Sequence, residues 1–273
     1  MPKFNLTDTN YLRSDQYKDS SNLDARAYLH NHFSTNKLGL QRWIFDQLLE
    51  LDVHRILDLG CGPGYLWIQN GQRIPQQWEI NLADISLGML KKGRAQIPVE
   101  GWTQQFTVSD AQALPYPENT FDLIIANHML YHVPDLDSAL SEFRRVLRPK
   151  GQLFCTTNSN RHMQELFAFL RSVGLETAQW EENGDTDLPF SLENGSQLLG
   201  NWFAMVEVLV YEDALKVTEL EPLLNYILSM SGIRESLKDD PERLKHLRSK
   251  IQNELDVEGF FYISKSPGLF IAA

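Results

Sequence analysis

Short apolar runs alternate with helical periods from residue 55 to residue 157, and this alternation determines the fold class. Strands are predicted at residues 55–60, 78–85, 102–108, 121–127 and 151–157. Helices are predicted between them at residues 65–72, 86–96 and 136–147, the second with Ser86 as its N-cap. Because strands joined by crossover helices pair in parallel, the pattern predicts an α/β fold with a doubly wound sheet.

The regions on either side of this core follow another pattern. Residues 1–50 form a polar arm followed by an amphipathic helix at 38–51, which could pack on the sheet or close over a site. Beyond the core, the pattern predicts strands at 205–212, 260–264 and 268–272, helices at 163–173, 219–230 and 241–255, and an acidic loop at 181–187. About fifty residues separate two of these strands where a tight turn would suffice, and long insertions usually carry function. We therefore predict one domain over residues 1–273, with an N-terminal lid (1–50), a core (51–160) and a cap plus the last strands (161–273).

Charge and composition restrict the partners. The chain has 25 Lys and Arg residues against 36 Asp and Glu, a formal net charge of −11 that disfavours binding to phosphate backbones. No apolar run approaches the eighteen or so residues that span a bilayer, and the N-terminus has no apolar leader. The two cysteines, Cys61 and Cys155, form no metal-ligand cluster. We expect a cytoplasmic protein, monomeric or homodimeric, that binds neither nucleic acid nor membranes.

A glycine-rich turn follows the first predicted strand. Gly60, Gly62 and Gly64 stand between an apolar strand and a helix, where glycine permits a sharp turn and a close approach to a ligand. The spacing is G-x-G-x-G, which differs from the dinucleotide-binding G-x-G-x-x-G because Tyr65 occupies the last glycine position. Asp58 precedes this turn by two residues and could face a cationic or amine-bearing ligand.

Two further acids end the next strands. Asp84 ends the second predicted strand, where a carboxylate can accept both ribose hydroxyls. Asp110 ends the third strand and is followed by Ala111, a pair well placed to bracket an adenine ring.

In order along the chain, these segments resemble the motifs of the class I S-adenosylmethionine-dependent methyltransferases. ILDLGCGPG is similar to the first motif, ADIS to the second-strand acid, SDAQALPYPENTFDLIIANHMLYHVPD to the third and fourth motifs, and EFRRVLRPKGQLF to the fifth. The resemblance covers residues 55–157. It implies a seven-stranded, mostly parallel, Rossmann-like sheet with a helical lid and an inserted helical cap, and S-adenosylmethionine as cofactor.

The resemblance also implies roles for individual residues. Gly60, Gly62 and Gly64 would lie against the methionine moiety, and Asp58 would lie near its amino group. The remaining contacts would be Asp84 to the ribose, Ile85 and Met89 to adenine, Asp110 to the adenine amine, and Asn127 at the methionine end. Because the family commonly folds an N-terminal segment over the cofactor, Tyr17 and Arg26 are expected to reach the methionine carboxylate.

Residues after the fourth and fifth strands are candidates for the acceptor side, since ligands of open α/β sheets collect at the carboxyl ends of strands. His128 and Tyr131 are expected to touch the acceptor, and His162 or His128 to serve as general base. His132 stands four residues after His128, a spacing that suits a metal on a helix. No third ligand is obvious, so we expect no metal and interpret His132 as a buried residue that orients the loop.

The aromatic residues of the cap leave two interpretations open. They could shape an apolar acceptor pocket or simply form core; they are Trp180, Phe190, Trp202, Phe203 and Tyr211.

The leading hypothesis for function is a methyltransferase acting on N or O of a small-molecule acceptor by in-line displacement. The alternatives are a protein methyltransferase, a nicotinamide-dependent oxidoreductase, which the glycine spacing disfavours, and a non-catalytic cofactor-binding regulator.

Overall fold

The computed structural model describes residues 7–8, 11–12, 17–18, 21–97, 102–175 and 188–273. Within this part of the chain the strands are β1 (Arg55–Leu59), β2 (Glu79–Asp84), β3 (Thr103–Val108), β4 (Phe121–Asn127), β5 (Leu147–Asn158), β6 (Val206–Val210), β7 (Asp213–Val217), β8 (Phe261–Lys265) and β9 (Pro267–Ala272). The helices are α1 (Ser21–Phe33), α2 (Leu40–Leu49), α3 (Tyr65–Asn70), α4 (Leu87–Gln96), α5 (Leu136–Val146), α6 (Gln164–Ser172), α7 (Gly195–Gly200), α8 (Leu220–Leu228), α9 (Ser231–Leu237) and α10 (Pro241–Glu258). Short 3₁₀ turns cover Gly71–Arg73 and Leu130–His132.

Seven strands form one sheet in the order β3-β2-β1-β4-β5-β9-β6. The first five strands pair in parallel, and β9 is antiparallel to both of its neighbours. Helices cover both faces of the central strands β1 and β4, and a strand buried on both faces needs a continuous apolar run. Accordingly Ile56, Leu57 and Leu123 are fully buried. The predicted α/β class and doubly wound, mostly parallel sheet are confirmed.

A second, two-stranded antiparallel sheet of β7 and β8 lies in the insertion between β6 and β9. The sequence pattern did not predict β7, and it predicted residues 260–264 as a strand without indicating that this strand belongs to a separate sheet. β7 was missed because it starts at Asp213, only three residues after β6 ends at Val210. The predicted strand at 205–212 therefore covers β6 and stops just before β7. The insertion also contains α8, α9 and α10 and forms most of the cap.

The two N-terminal helices have different partners. Helix α2 packs on the sheet, where Ile44, Phe45 and Leu48 join a buried cluster. Helix α1 instead contributes Leu29 and Phe33 to a separate cluster built from the cap and α6. The helix predicted at 38–51 could pack on the sheet or close over a site, and the structure shows that it packs on the sheet. The helix that joins the cap cluster is α1.

The cap aromatics that the structure describes are core residues. Phe190 and Phe203 are buried in the cluster on one face of the main sheet, and Trp202 packs against it. Tyr211 is buried with its ring centroid 5.2 Å from that of Trp43. Trp180 and the acidic loop at 181–187 lie outside the described residues.

Both cysteines of the chain are free thiols. Among the residues that the structure describes, no helix combines the length and apolarity needed to cross a membrane.

Candidate active site

A cavity of about 730 Å³ lies at the carboxyl ends of the central strands, and α1 together with Tyr11, Leu12 and Tyr17 contributes to its lining. The volume falls within the roughly 300–1,000 Å³ typical of small-ligand sites. Fourteen of the fifteen site residues expected from the sequence line it: Tyr17, Arg26, Asp58, Gly60, Gly62, Asp84, Ile85, Met89, Asp110, Ala111, Asn127, His128, Tyr131 and His162. The exception is Gly64.

Asp58 lies at the floor of this cavity with one carboxylate oxygen in need of a partner. The side chain is 2% exposed, and its Oδ2 accepts a 2.6 Å hydrogen bond from Trp67 Nε1. Its Oδ1 is buried and accepts no hydrogen bond from the described residues. Burial raises the pKa of Asp58 to about 7. The hydrogen bond from Trp67 acts to lower this pKa, and the nearby charge of Asp84 acts to raise it. A cationic ligand group beside Oδ1 would satisfy the oxygen and restore its charge.

The glycine turn and the second-strand acid are joined directly. Gly62 has φ +55° and donates its N–H to Asp84 Oδ2 at 2.9 Å, while Ser86 donates its N–H to Oδ1 at 2.7 Å. Burial raises the pKa of Asp84, and these two hydrogen bonds oppose the rise. Each carboxylate oxygen keeps a lone pair for a ligand hydroxyl.

The other two glycines of the turn have packing roles. A Cβ on Gly60 would lie 2.8 Å from Met129 Cβ. Gly64 has φ +80°, and a Cβ there would collide with the Ile97 side chain. The structure therefore leaves Gly64 outside the cavity lining, where it permits the turn and the close packing of Ile97.

Apolar residues line the cavity beside the acids of β2 and β3. Ile85 and Met89 are lining residues, as is the buried Ala111. Asp110 Oδ1 accepts from the Gln112 backbone N–H at 2.9 Å, which fixes the carboxylate at the end of β3.

Tyr17, in the segment before α1, lines the cavity and contacts residues on both the β4 and the α4 sides of it. Its hydroxyl lies 2.9 Å from His132 Nε2, and its carbonyl accepts a hydrogen bond from Ser86 Oγ at 2.8 Å. A Cβ on Gly88 would collide with the Lys18 carbonyl, so the arm rests directly on the start of α4. Burial raises the pKa of Tyr17, although the neighbouring Arg26 acts to lower it.

Arg26 carries a positive charge into the cavity from α1. Its Nε donates to Ser229 Oγ at 2.9 Å, and its Nη2 donates to the Ser229 carbonyl at 3.1 Å. Both acceptors are neutral. The guanidinium charge therefore remains available to an anionic ligand group.

The histidine predicted as a general base is held as a hydrogen-bond donor. His162 Nδ1 accepts the Ser266 backbone N–H at 3.0 Å, so neutral His162 carries its proton on Nε2. Burial, with the neighbouring His128 and Lys265, lowers the pKa of His162 to about 3. In this arrangement the Nε2–H of His162 is the group that can donate a hydrogen bond to a ligand, and the general-base role expected from the sequence stays a prediction.

His128 lies in a turn at the end of β4. It has φ +51°, and its N–H bonds to the Thr156 carbonyl at 3.0 Å. Burial lowers its pKa to about 4, with a contribution from Lys265, so the ring is neutral at pH 7. Tyr131 lies with its ring against His132 at 4.6 Å, and burial raises its pKa.

Sequence reasoning missed several lining residues. His132 bonds to the arm and lines the cavity, beyond the loop-orienting role expected for it. His30, Tyr226 and Lys265 also line the cavity, but they come from α1, α8 and β8 and carry no local motif. Among the described residues, no group of three or more His, Cys, Asp or Glu side chains could hold a metal ion.

This sheet order, glycine turn and row of strand-end carboxylates define a class I S-adenosylmethionine-dependent methyltransferase domain, whose cofactor is S-adenosylmethionine. The residues present fit that cofactor, because Asp58 Oδ1 has no partner among the described residues where an amino group is expected, and Asp84 has lone pairs for hydroxyls.

Comparison with known proteins gives the same class. Residues 57–155 match the family model described as a methyltransferase domain. The chain is 40% identical over 100 residues to the ubiquinone/menaquinone biosynthesis C-methyltransferase UbiE of Hydrogenovibrio crunogenus, covering 36% of this chain and 39% of that protein. It is 34% identical over 143 residues to the malonyl-[acyl-carrier protein] O-methyltransferase of Halorhodospira halophila, covering 50% and 47%. The chain thus spans less than half the length of each of these relatives.

Solved structures share the fold. A putative methyltransferase from an antibiotic biosynthesis pathway of Anabaena variabilis has a TM-score of 0.59 at 17% identity, covering 85% of this chain and 96% of that one. Phosphoethanolamine N-methyltransferase 2 of Haemonchus contortus, in complex with S-adenosyl-L-methionine, has a TM-score of 0.57 at 18% identity, covering 97% and 59%.

Proposed function

We propose that this protein is a methyltransferase that uses S-adenosylmethionine to methylate an N or O atom of a small-molecule acceptor. The observation that carries the proposal is the 2.9 Å contact between the Tyr17 hydroxyl and His132 Nε2, inside the same cavity as the cofactor-binding carboxylates. An N or O nucleophile that holds a proton must lose it on methylation, and this pair offers a route for that proton.

The cofactor end of the cavity supplies binding and orientation. Asp58 would pair with the amino group of the methionine moiety, and Arg26 with its carboxylate. Asp84 would accept hydrogen bonds from the ribose, and Asp110 from the adenine amine. When bound, S-adenosylmethionine supplies a methyl group on an electrophilic sulfonium, so the protein's work is mainly to align the acceptor and exclude water.

Tyr17 and His132 would act together as a proton relay. The Tyr17 hydroxyl donates to His132 Nε2 when neutral His132 has its proton on Nδ1. The acceptor's proton moves to the Tyr17 oxygen, and the Tyr17 proton moves to His132 Nε2. Tyr17 then ends neutral and His132 ends as an imidazolium. Since burial raises the pKa of Tyr17, a relay suits it better than a standing phenolate.

The arm would position Tyr17 for this chemistry. Tyr17 meets His132 only while residues 17–18 rest on the start of α4, held by Ser86 and accommodated by Gly88. Binding of residues 17–18 to the start of α4 would therefore hold Tyr17 in place for the relay, beside the cofactor end of the cavity.

A substitution of Tyr17 tests the relay. We expect Tyr17→Phe to lower kcat by roughly 10²–10³-fold, within the usual range for a general acid–base group. The Kd for S-adenosylmethionine should change only a few-fold, because the bond from Ser86 reaches the Tyr17 backbone and survives. Tyr28→Phe is the matched control, since Tyr28 is 49% exposed and is not a lining residue of the cavity.

The acceptor is found by incubating the protein with labelled S-adenosylmethionine and cell metabolite extract, and by searching with mass spectrometry for a product heavier by one methylene. Label found only in protein would indicate the protein-methyltransferase alternative. Cofactor binding without any labelled product would indicate the regulatory alternative. An unchanged kcat in Tyr17→Phe would refute the relay.

We also infer a cytoplasmic enzyme, monomeric or homodimeric, that needs no nucleic acid or membrane partner. The two free thiols suit a reducing compartment, and the net charge of −11 disfavours polyanionic substrates.

A further inference from the structure

The charges that line the cavity are separated by sign. Its carboxylates, among the described residues, are Asp58, Asp84 and Asp110, all at the ends of β1 to β3. Its cationic side chains come from other parts of the chain: Arg26, Lys37, Arg161, Arg171 and Lys265. Arg26 is assigned above to the carboxylate of the cofactor, and the other four cations come from segments outside β1 to β3. We call the part of the cavity that Lys265 and His162 line its far end.

Lys265 is the buried cation of this far end. Its side chain is 6% exposed and forms an ion pair with Asp213, whose side chain is 1% exposed. Burial lowers the pKa of Lys265, and Asp213 opposes the fall. Burying an ammonium group is costly unless it is paired and hydrogen-bonded, and Asp213, the register partner of Lys265 on β7, supplies that pairing.

The charge of Asp213 is already shared among other donors. Ser34 Oγ lies 2.7 Å from Asp213 Oδ2, and the backbone N–H of Asn36 donates to Oδ1 at 3.0 Å. The Ala214 N–H donates to the same oxygen at 2.8 Å. These donors together with Lys265 satisfy the buried carboxylate. An ammonium has three N–H donors, and the bond to Asp213 takes one.

His162 adds a second donor beside Lys265. Its Nδ1 is occupied by the Ser266 N–H, which leaves Nε2–H as the donor. Ser266 directly follows Lys265 in the chain, so one short segment between β8 and β9 fixes both groups. His30 lies next to His162 with ring centroids 6.3 Å apart, and its buried Nδ1 lacks a hydrogen-bond partner among the described residues.

We propose that the acceptor carries an anionic group, a phosphate or a carboxylate, that binds to Lys265 and the Nε2–H of His162. This inference rests on the proposed function and names the chemical class of its acceptor. The anion would hold the acceptor at the far end, so that its nucleophilic N or O atom faces Tyr17 and the cofactor. Acceptors that lack the anion would then bind weakly however well their nucleophile fits.

The test measures anion binding by calorimetry on the protein loaded with S-adenosylhomocysteine, which fills the cofactor end without turnover. Methyl phosphate, acetate and acetamide are the probes, and acetamide is the neutral counterpart of acetate. We expect at least one anion to bind at least about tenfold more tightly than acetamide, because hydrogen bonds to a charged group are stronger than those between neutral groups. Binding of methyl phosphate alone indicates a phosphate-bearing acceptor, and binding of acetate alone indicates a carboxylate.

Two variants locate the site. In His162→Asn, the amide oxygen can replace Nδ1 as acceptor for the Ser266 N–H while the Nε2–H donor is lost, and anion binding should fall about tenfold. Lys265→Met should abolish anion binding. Lys265→Arg keeps a cation opposite Asp213 and should keep anion binding, so it is the variant to compare if Lys265→Met does not fold. Lys245→Met removes the same charge from an exposed position on α10 and should leave binding unchanged.

Failure of this inference can be told apart from failure of the proposed function. If S-adenosylhomocysteine does not bind, the proposed function is wrong, and titration of the anions without it still decides whether the subsite exists. If S-adenosylhomocysteine binds and neither anion binds more tightly than acetamide, the inference is overturned. Anion binding that Lys265→Met and His162→Asn leave intact also overturns it.

Discussion

Replacing Asp58 by Asn should stabilise the cofactor-free protein and weaken cofactor binding at the same time. In the folded protein, burial raises the pKa of Asp58 to about 7 from an ordinary value of 3.8. At about 1.4 kcal/mol for each pKa unit, ionising this buried carboxyl above pH 7 costs roughly 4 kcal/mol of stability. Asp58→Asn removes that cost, and its amide oxygen can still accept the hydrogen bond from Trp67 Nε1.

The sign of the pH dependence follows from proton binding. Because the folded protein holds the Asp58 proton more tightly than the unfolded chain, its contribution to the free energy of unfolding is full below about pH 4. That contribution is lost as pH rises towards 7. The advantage of the variant over the wild type should therefore be smallest at pH 4 and below and should grow steadily with pH, to about 2–4 kcal/mol at pH 8. The lower figure allows for the cost of burying the new amide N–H.

Thermal and urea unfolding of the cofactor-free protein across pH 4.5–8.5 measure this difference. Asp122→Asn is a control of opposite sign. Burial acts to raise the pKa of Asp122, but the Arg55 N–H, the Arg148 side chain and the His54 N–H together hold it below its usual value. That variant should lose stability at pH 8. An Asp58→Asn protein no more stable than the wild type at pH 8 would refute the view that ionised Asp58 is destabilised by its buried Oδ1, which has no partner among the described residues.

Two glycine substitutions probe the rest of the site. Gly88→Ala should weaken cofactor binding several-fold in calorimetry, because a Cβ there collides with the Lys18 carbonyl. Gly200→Ala, in open space on α7, is the control and should leave the affinity unchanged. Equal affinities in the two variants would contradict the docking of residues 17–18 at Gly88. Gly64→Ala should lower the free energy of unfolding by about 1–3 kcal/mol in urea titrations, because its φ of +80° and the contact with Ile97 disfavour a side chain. A Gly64→Ala protein that keeps its stability but loses the cofactor would instead make Gly64 a ligand contact.

The main sheet could be predicted because its signals are local. The strand at 55–60 and the glycines after it read directly from apolar pattern and spacing, and the structure has β1 at Arg55–Leu59 followed by the turn. Sequence treats the three glycines alike, however. The structure separates them by their neighbours: Met129 packs against Gly60 and Ile97 against Gly64, while Gly62 has no side chain that close.

The far end of the cavity could not be predicted because its residues meet only through tertiary contacts. Lys265 and His162 are about a hundred residues apart in the chain, and His30 comes from the N-terminal helix. The donor role of His162 depends on one backbone N–H, that of Ser266. Likewise, the sequence suggested Tyr17 as a cofactor contact, but nothing local linked it to His132.

The central claim is that the cavity at the ends of β1, β2 and β3 binds S-adenosylmethionine through Asp58 and Asp84. Calorimetric titration of wild type, Asp58→Asn and Asp84→Asn tests it directly. We predict a wild-type Kd below about 1 mM, the upper end of ordinary KM values, and binding roughly 10–100-fold weaker in each variant, as expected for a lost charge-assisted hydrogen bond. Absence of wild-type binding, or equal affinity in all three proteins, would contradict the claim.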